Sequence, residues 1–256
     1  MLIKITESCD MMCKHCIVSA TKNGEDMSMD TFTKVVEFID KIKPKVVIIS
    51  GGEPTDHHDF REFINYLYKR YSGVIVVTTH GKWLFEKGPN YAEYFKRHRR
   101  LSFQVTNDDR YYPVKFSKKK AALIQDDYPN VIFCWRIGGE IYPQGRAVKY
   151  MKVTHENTGC KATKCFNLRS MCNNAMFPTL RKAIDHLESL GKFCTPSIHI
   201  DGSVKMGESN ECPSIAHCTD SRESIHEAIK TSDCNDCKML TNLSPMYLNA
   251  IGMFKP

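Results

Sequence analysis

The sequence predicts an α/β fold, a partial (β/α)6 TIM-like barrel followed by a small cysteine-rich C-terminal region. Three observations lead there. Strand-like and helix-like patterns alternate five or six times over the first 155 residues, which favours a parallel sheet, open or curled into a partial barrel. The strand-like segments are short β-branched apolar runs, as in parallel strands covered on both faces. The segments richest in cysteine, glycine and polar residues all follow predicted strands, and in such folds chemistry gathers at the carboxyl ends of the strands.

The elements follow in order. "LIKIT" opens as a strand and delivers a cysteine loop. "MDTFTKVVEFIDKI" (29–42) repeats apolar residues at helical spacing behind Ser28, a good N-cap. "KVVIIS" (45–50) is the second strand and runs into "GGEPT". "FREFINYLYKRY" (60–71) reads as helix and "GVIVVTTHG" (73–81) as the third strand. "NYAEYFKRH" (90–98) predicts a helix before the fourth strand, "LSFQVTND" (101–108). "SKKKAALIQDD" (117–127) predicts another before the fifth, "VIFCWRIGGE" (131–140). A sixth strand is expected at "AVKYMKV" (147–153). Beyond residue 155 the regular alternation stops. A helix at 178–190, a hairpin over "SIHIDGSVKM" (197–206) and an amphipathic stretch at 221–229 are expected there. This divides the chain into residues 1–155 and 156–256.

Composition narrows the function classes. No apolar run is long enough to cross a bilayer, and the N-terminal residues lack the order of a secretory signal, so a soluble, cytoplasmic protein without membrane partners is expected. Twelve cysteines in such a chain point to metal or redox chemistry rather than disulfides. The net charge of +7 comes from scattered lysines and a "KRHRR" cluster at 96–100. With no aromatic-interleaved basic motif, these read as solvated faces, and a nucleic-acid partner is not expected. "DHHD" (56–59) reads as an acidic N-cap turn before the second helix rather than a metal site.

Cys9, Cys13 and Cys16 form a C-x3-C-x2-C loop directly after the first strand. Thiolates of this kind hold iron–sulfur clusters, and three ligands on a four-iron cluster leave one iron open. An incomplete ligand set leaves room for a substrate or cofactor. A zinc site borrowing His15 is the competing reading of the loop.

With "GGEP" at Gly51, Gly52, Glu53 and Pro54, the loop resembles the signature of the radical S-adenosylmethionine (SAM) enzymes. "TTHG" (78–81) is similar to the family's third-strand motif, with His80 where asparagine is usual. "VTND" (105–108) is similar to its fourth-strand motif, with Thr106 for serine. His15 stands where an aromatic residue is common. The resemblance implies a [4Fe-4S] cluster on Cys9, Cys13 and Cys16 whose open iron binds SAM. An external electron donor would then drive SAM cleavage to a 5′-deoxyadenosyl radical that takes hydrogen from a substrate. It places Gly51, Gly52, Glu53, Pro54, Thr79, His80 and Thr106 at the cofactor. Gly51 and Gly52 would let backbone approach it closely, and Glu53 could pair with the SAM ammonium.

"YPQGRA" (142–147), "FCTPSIHIDGSVKMGESNEC" (193–212) and "CNDC" (234–237) resemble the SPASM or twitch extensions of this family, which carry auxiliary clusters. That implies an auxiliary iron–sulfur cluster on Cys194, Cys212, Cys234 and Cys237, although Cys212 lies farther from "DG-x-V" than the pattern has it. Cys160, Cys165, Cys172 and Cys218 stay unassigned as ligands or free thiols, and Cys134 reads as a buried apolar residue. A zinc ribbon is the other reading of the tail. The substrate expected first is a peptide; a small-molecule or nucleotide radical enzyme and a zinc-stabilised interaction module are the alternatives.

Overall fold

A computed structural model of the chain describes residues 1–86, 88–107, 111–135, 145–151, 197–205, 210 and 212–231. Five strands, β1 (Leu2–Thr6), β2 (Val46–Gly51), β3 (Val74–Thr79), β4 (Leu101–Asn107) and β5 (Val131–Trp135), pair in parallel and lie side by side in chain order. The connecting helices are α1 (Met29–Ile42), α2 (Phe60–Arg70), α3 (Lys82–Glu86), α4 (Asn90–Tyr94) and α5 (Lys118–Asp127). Each gives apolar side chains to one core, together with Ile3, Ile5, Val47, Ile49, Ile75, Val77, Phe103 and Val105 of the strands. Helices on one face of a sheet whose strands follow in order define a singly wound fold.

Local chemistry explains the boundaries. The Ser28 hydroxyl accepts the Thr31 N–H at 3.1 Å to start α1, and Ser117 does the same for Lys120 at 3.4 Å to start α5. α1 ends at Lys43, whose backbone is left-handed and whose N–H reaches the Ile39 carbonyl. α2 starts at Phe60, but the Asp59 side chain makes no cap bond; it pairs with His58 Nε2 at 3.0 Å. In place of the expected acidic cap, the turn has a carboxylate–imidazole contact.

The face away from the helices is polar at the same level. Lys4 sits opposite Ser50, and Thr78 opposite Gln104. The parity that buries valine and isoleucine under the helices turns these four residues the other way. Lys4 is buried, and its ammonium donates to Asn210 Oδ1 at 3.0 Å. Asn210 Nδ2 in turn donates to Glu7 Oε1 at 2.8 Å and to the Val18 carbonyl at 3.2 Å.

The expected hairpin is present as β6 (Ser197–Ile198) and β7 (Ser203–Lys205), paired antiparallel, and β8 (Ser214–His217) adds a third strand. β6 pairs in parallel with β1, so the sheet continues across the expected boundary at residue 155 as one eight-stranded order, β5-β4-β3-β2-β1-β6-β7-β8. The sixth strand expected at 147–153 is a correction: Arg146–Met151 is a helix, α6. A short apolar run does not by itself separate strand from buried helix. Here Gly145 turns the chain with φ of +55° so that the Arg146 N–H meets the Cys16 carbonyl at 2.9 Å.

Helix α7 (Arg222–Thr231) covers the β8 end of the sheet, with Ile225 and Cys218 in the main core. Cys218 is 1% exposed and is a packing residue here. Cys134, expected to be buried, is only partly so. The helix expected over 90–98 stops at Tyr94, and α3 and β8 were not expected from the pattern. The helix expected at 178–190 lies outside the described residues. Arg100 of the basic cluster is a structural cross-brace. It donates to the carbonyls of Tyr68 (2.8 Å), Gly73 (3.1 Å) and Tyr71. Among the described residues, no helix is long and apolar enough to cross a membrane.

Phe32 and Phe63 stack at 4.1 Å between α1 and α2 with no exposure. Replacing Phe63 with alanine is expected to lower the unfolding free energy by about 3–5 kcal/mol in urea titrations.

Candidate functional site

The cysteine loop leaves β1 and folds back on itself. The Cys9 N–H bonds the Thr21 carbonyl at 2.8 Å, Glu7 bonds Glu25 at 2.7 Å, and Met27 returns to Ile5 at 2.8 Å. Met12, at its tip, adopts the left-handed backbone with φ of +48°. Cys9 and Cys13 are buried with Met11, Val18 and Ala20, while Cys16 is half-buried beside them. Burial pushes the Cys9 thiol up to about 12; the Met11 N–H opposes this, and the charges of Glu53, Cys13 and Cys16 add to it. Burial and then Cys16 push Cys13 to about 12 as well, with Arg146 opposing. Cys9 and Cys13 thus share one small apolar cluster, against which Cys16 packs.

They are nevertheless spread. Among the described residues, two groups of potential ligand atoms lie within 4.8 Å of one another, and the cysteine triad is neither. Thiolates on one tetrahedral zinc would sit ~3.8 Å apart, given Zn–S bonds of about 2.3 Å. An iron–sulfur cluster binds its thiolates through different iron atoms and spreads them wider. His15, the suggested fourth zinc ligand, packs against Tyr111 and Tyr112 at 5.5 and 5.2 Å instead. The donor set fits a cluster better than a single ion.

Next to the loop, β2 ends in Gly51 and Gly52. A Cβ on Gly51 would meet the Thr6 carbonyl oxygen at 2.2 Å, and one on Gly52 the Ser8 carbonyl oxygen at 2.1 Å. The glycines thus let the turn close onto the exit of β1. There Gly52 N–H bonds Thr6 and Glu53 N–H bonds Ser8, each at 2.7 Å. The close approach that the structure shows is to this chain's own backbone.

Glu53 is wholly buried. Its Oε1 accepts the Thr55 N–H at 3.2 Å and the hydroxyls of Thr55 and Thr79, each at 2.6 Å. Its Oε2 accepts the His80 N–H at 2.8 Å. This carboxylate fastens the 3-10 turn Pro54–Asp56 to the end of β3. Thr79 is equally occupied, accepting from Gly81 N (3.0 Å) and Trp83 Nε1 (3.1 Å) while it donates to Glu53. Thr106, half-buried at the end of β4, donates to the Thr79 carbonyl at 3.4 Å and pairs with the Tyr112 hydroxyl at 3.1 Å. Pro54 is buried in the turn.

His80 is 8% exposed. Its Nε2 lies 3.4 Å from Glu53 Oε2 and 3.5 Å from Asp10 Oδ1, and Asp10 also receives the Lys82 ammonium at 2.7 Å. Asp10, Lys82, Thr55 and Arg146 belong to this site and were not foreseen as site residues. Arg146 donates from Nε to the Cys13 carbonyl at 3.0 Å. The first three carry no pattern of their own. Arg146 lies in "GRA", a legible motif whose contact with the cysteine loop spans 133 positions.

The second group of potential ligands, Asp26, His57 and His58, is not free to bind metal. His57 Nε2 donates to the Met27 carbonyl at 2.9 Å and Nδ1 accepts the Asp59 N–H at 3.0 Å, so both ring nitrogens are used. Of the tail cysteines, Cys212 is half-buried just before β8. Cys194, Cys234 and Cys237, with Cys160, Cys165 and Cys172, lie outside the described residues.

The fold and site define an α/β protein with three cysteines in one small cluster and a Gly-Gly-Glu turn at the carboxyl edge of its parallel strands. Residues 3–122 match the family model of the radical SAM superfamily. Mycofactocin maturase MftC of Mycolicibacterium smegmatis is 29% identical over 72 residues, 28% of this chain and 18% of that protein. The shared segment is thus under a fifth of that relative's length. The structure of native anSMEcpe with bound AdoMet overlaps with a TM-score of 0.51 at 13% identity, covering 95% of this chain and 83% of that one. Streptococcus suis SuiB bound to precursor peptide SuiA overlaps at 0.38 with 14% identity, covering 98% and 66%.

The geometry sets two measurable outcomes. In the cluster-free protein at pH 8, thiols with pKa values of about 12 are thiolate in roughly one part in 10⁴. Iodoacetamide labelling of Cys9 and Cys13, followed by peptide mass spectrometry, should rise about tenfold per pH unit up to pH 10, whereas a free cysteine levels off near its pKa of about 8.5. Glu53→Gln places an amide N–H₂ among donors that all need an acceptor. Its expected cost is about 1–3 kcal/mol in chemical denaturation.

Proposed function

We propose that the chain is a radical SAM enzyme that modifies a peptide. The observation that carries the reading is the geometry of Cys9, Cys13 and Cys16. They are three thiols of one loop, packed in one small cluster yet too spread for one ion, beside the Gly51–Pro54 turn. These thiols would hold a [4Fe-4S] cluster with one iron left for SAM. When bound, the pair supplies an electron-driven cleavage of SAM to a 5′-deoxyadenosyl radical that removes a hydrogen atom from the substrate.

The protein's part is to position and to exclude. Burial of Cys9 and Cys13 keeps water from the loop. Glu53 fixes the Gly-Gly turn against β3, so that the backbone around SAM is set before it binds. The polar row of Ser50, Thr78 and Gln104 on the face away from the helices offers donors and acceptors suited to an amide backbone. A peptide substrate is further supported by the similarity to a maturase. An external reductant would supply the electron. We assign Cys194, Cys212, Cys234 and Cys237 to an auxiliary cluster, in a tail over residues 156–256 that adjoins the 1–155 core through β6.

The test is iron and labile sulfide per chain after anaerobic reconstitution, for wild type and the Cys9→Ala/Cys13→Ala/Cys16→Ala variant. About eight irons falling to about four is the expected result. About four falling to none would remove the auxiliary assignment, and zinc unaffected by the variant would remove the enzyme reading.

A further inference from the structure

His80 raises a question that the family resemblance leaves open, because asparagine is usual at this place. The backbone N–H of Lys82 donates to His80 Nδ1 at 3.0 Å. That bond assigns Nδ1 the lone pair, so the proton of the neutral ring sits on Nε2. Nε2 is buried and, among the described residues, has no hydrogen-bond partner. A buried N–H whose nearest carboxylate oxygens, on Glu53 and Asp10, lie at 3.4 and 3.5 Å without forming a hydrogen bond is rare in native structures and points to a group that arrives later. The same tautomer rules out Nε2 as a metal ligand, although Cys9, Asp10 and His80 bring their ligand atoms within 4.8 Å of one another.

Three acceptors surround this N–H. Glu53 Oε2 is 3.4 Å away and already takes the His80 backbone N–H at 2.8 Å. Asp10 Oδ1 is 3.5 Å away, and its carboxylate is engaged by Lys82 at 2.7 Å. The third is the sulfur of Cys9, within 4.8 Å of a ring nitrogen of His80, a weak acceptor as a thiol and a strong one as a thiolate.

We propose, resting on the radical SAM reading, that His80 donates a hydrogen bond from Nε2 to the Cys9 thiolate when the cluster is held. It is a positioning residue that tunes the cluster. Reduction adds negative charge to the cluster and its sulfurs, and a donor aimed at a ligating sulfur stabilises that charge. The reduction potential therefore rises. Neighbouring Glu53 and Asp10 act in the opposite direction as fixed negative charges, so this N–H offsets part of their effect at the same corner.

The test is an EPR-monitored redox titration of the reconstituted protein without SAM, for wild type, His80→Asn and His80→Gln, with iron counted in each. Asparagine keeps a side-chain carbonyl for the Lys82 N–H and loses the distal donor. Glutamine is longer and places an N–H₂ near the position of Nε2. The expected result is a more negative potential in His80→Asn, a return toward wild type in His80→Gln, and equal iron in all three. An unchanged potential in His80→Asn would overturn the proposal, as would equal shifts in both variants. Weaker SAM binding by His80→Asn at unchanged potential would assign the donor to SAM and overturn it too. Absence of cluster iron in wild type would overturn the radical SAM reading itself, and is told apart by the iron count.

Discussion

The buried carboxylate of Glu53 is the interaction on which the site's shape depends. Isolated in an apolar core, an ionised carboxylate would be strongly unfavourable. Here it accepts two N–H and two O–H donors from Thr55, Thr79 and His80, charge-assisted bonds that are stronger than neutral ones. Because the donors come from the Pro54–Asp56 turn and from the end of β3, the carboxylate fixes two strand ends at once. The Gly51–Gly52 turn is held against the exit of β1, which leads into the cysteine loop. Thr106 ties β4 to the same point through the Thr79 carbonyl.

The parallel sheet makes this concentration of polar groups possible. Along β1 to β4 one parity of side chains enters the helix-covered core and the other turns to the opposite face, where Lys4, Ser50, Thr78 and Gln104 lie. Stability and chemistry are thereby assigned to opposite faces of the same strands. The tail hairpin joins the β1 edge of this sheet, and Asn210 links Lys4 to the cysteine loop through Glu7 and Val18. The C-terminal segment is therefore coupled to the loop through two side chains of β1 and its exit.

Much of this was legible in the sequence because it is local. Ser28 announces α1, apolar runs give β1 to β5, and C-x3-C-x2-C followed by "GGEP" is a specific pairing of motifs. What could not be read is long-range. The acceptor role of Glu53 depends on Thr79, 26 positions away, and Arg146 meets the cysteine loop across 133. The run "VIVVTT" does not alternate apolar and polar residues, so the face that turns from the helices was not legible in it. The run at 147–153 misled because so short a stretch carries too little periodicity to choose between strand and helix, and a left-handed glycine decided it.

The central claim is an open-cornered cluster on Cys9, Cys13 and Cys16. Mössbauer spectroscopy of the ⁵⁷Fe-reconstituted protein, with Cys194, Cys212, Cys234 and Cys237 replaced by alanine, tests it most directly. The predicted result is a four-iron signal in which one iron in four shifts when SAM is added. A four-iron signal indifferent to SAM, or no four-iron signal at all, would contradict it.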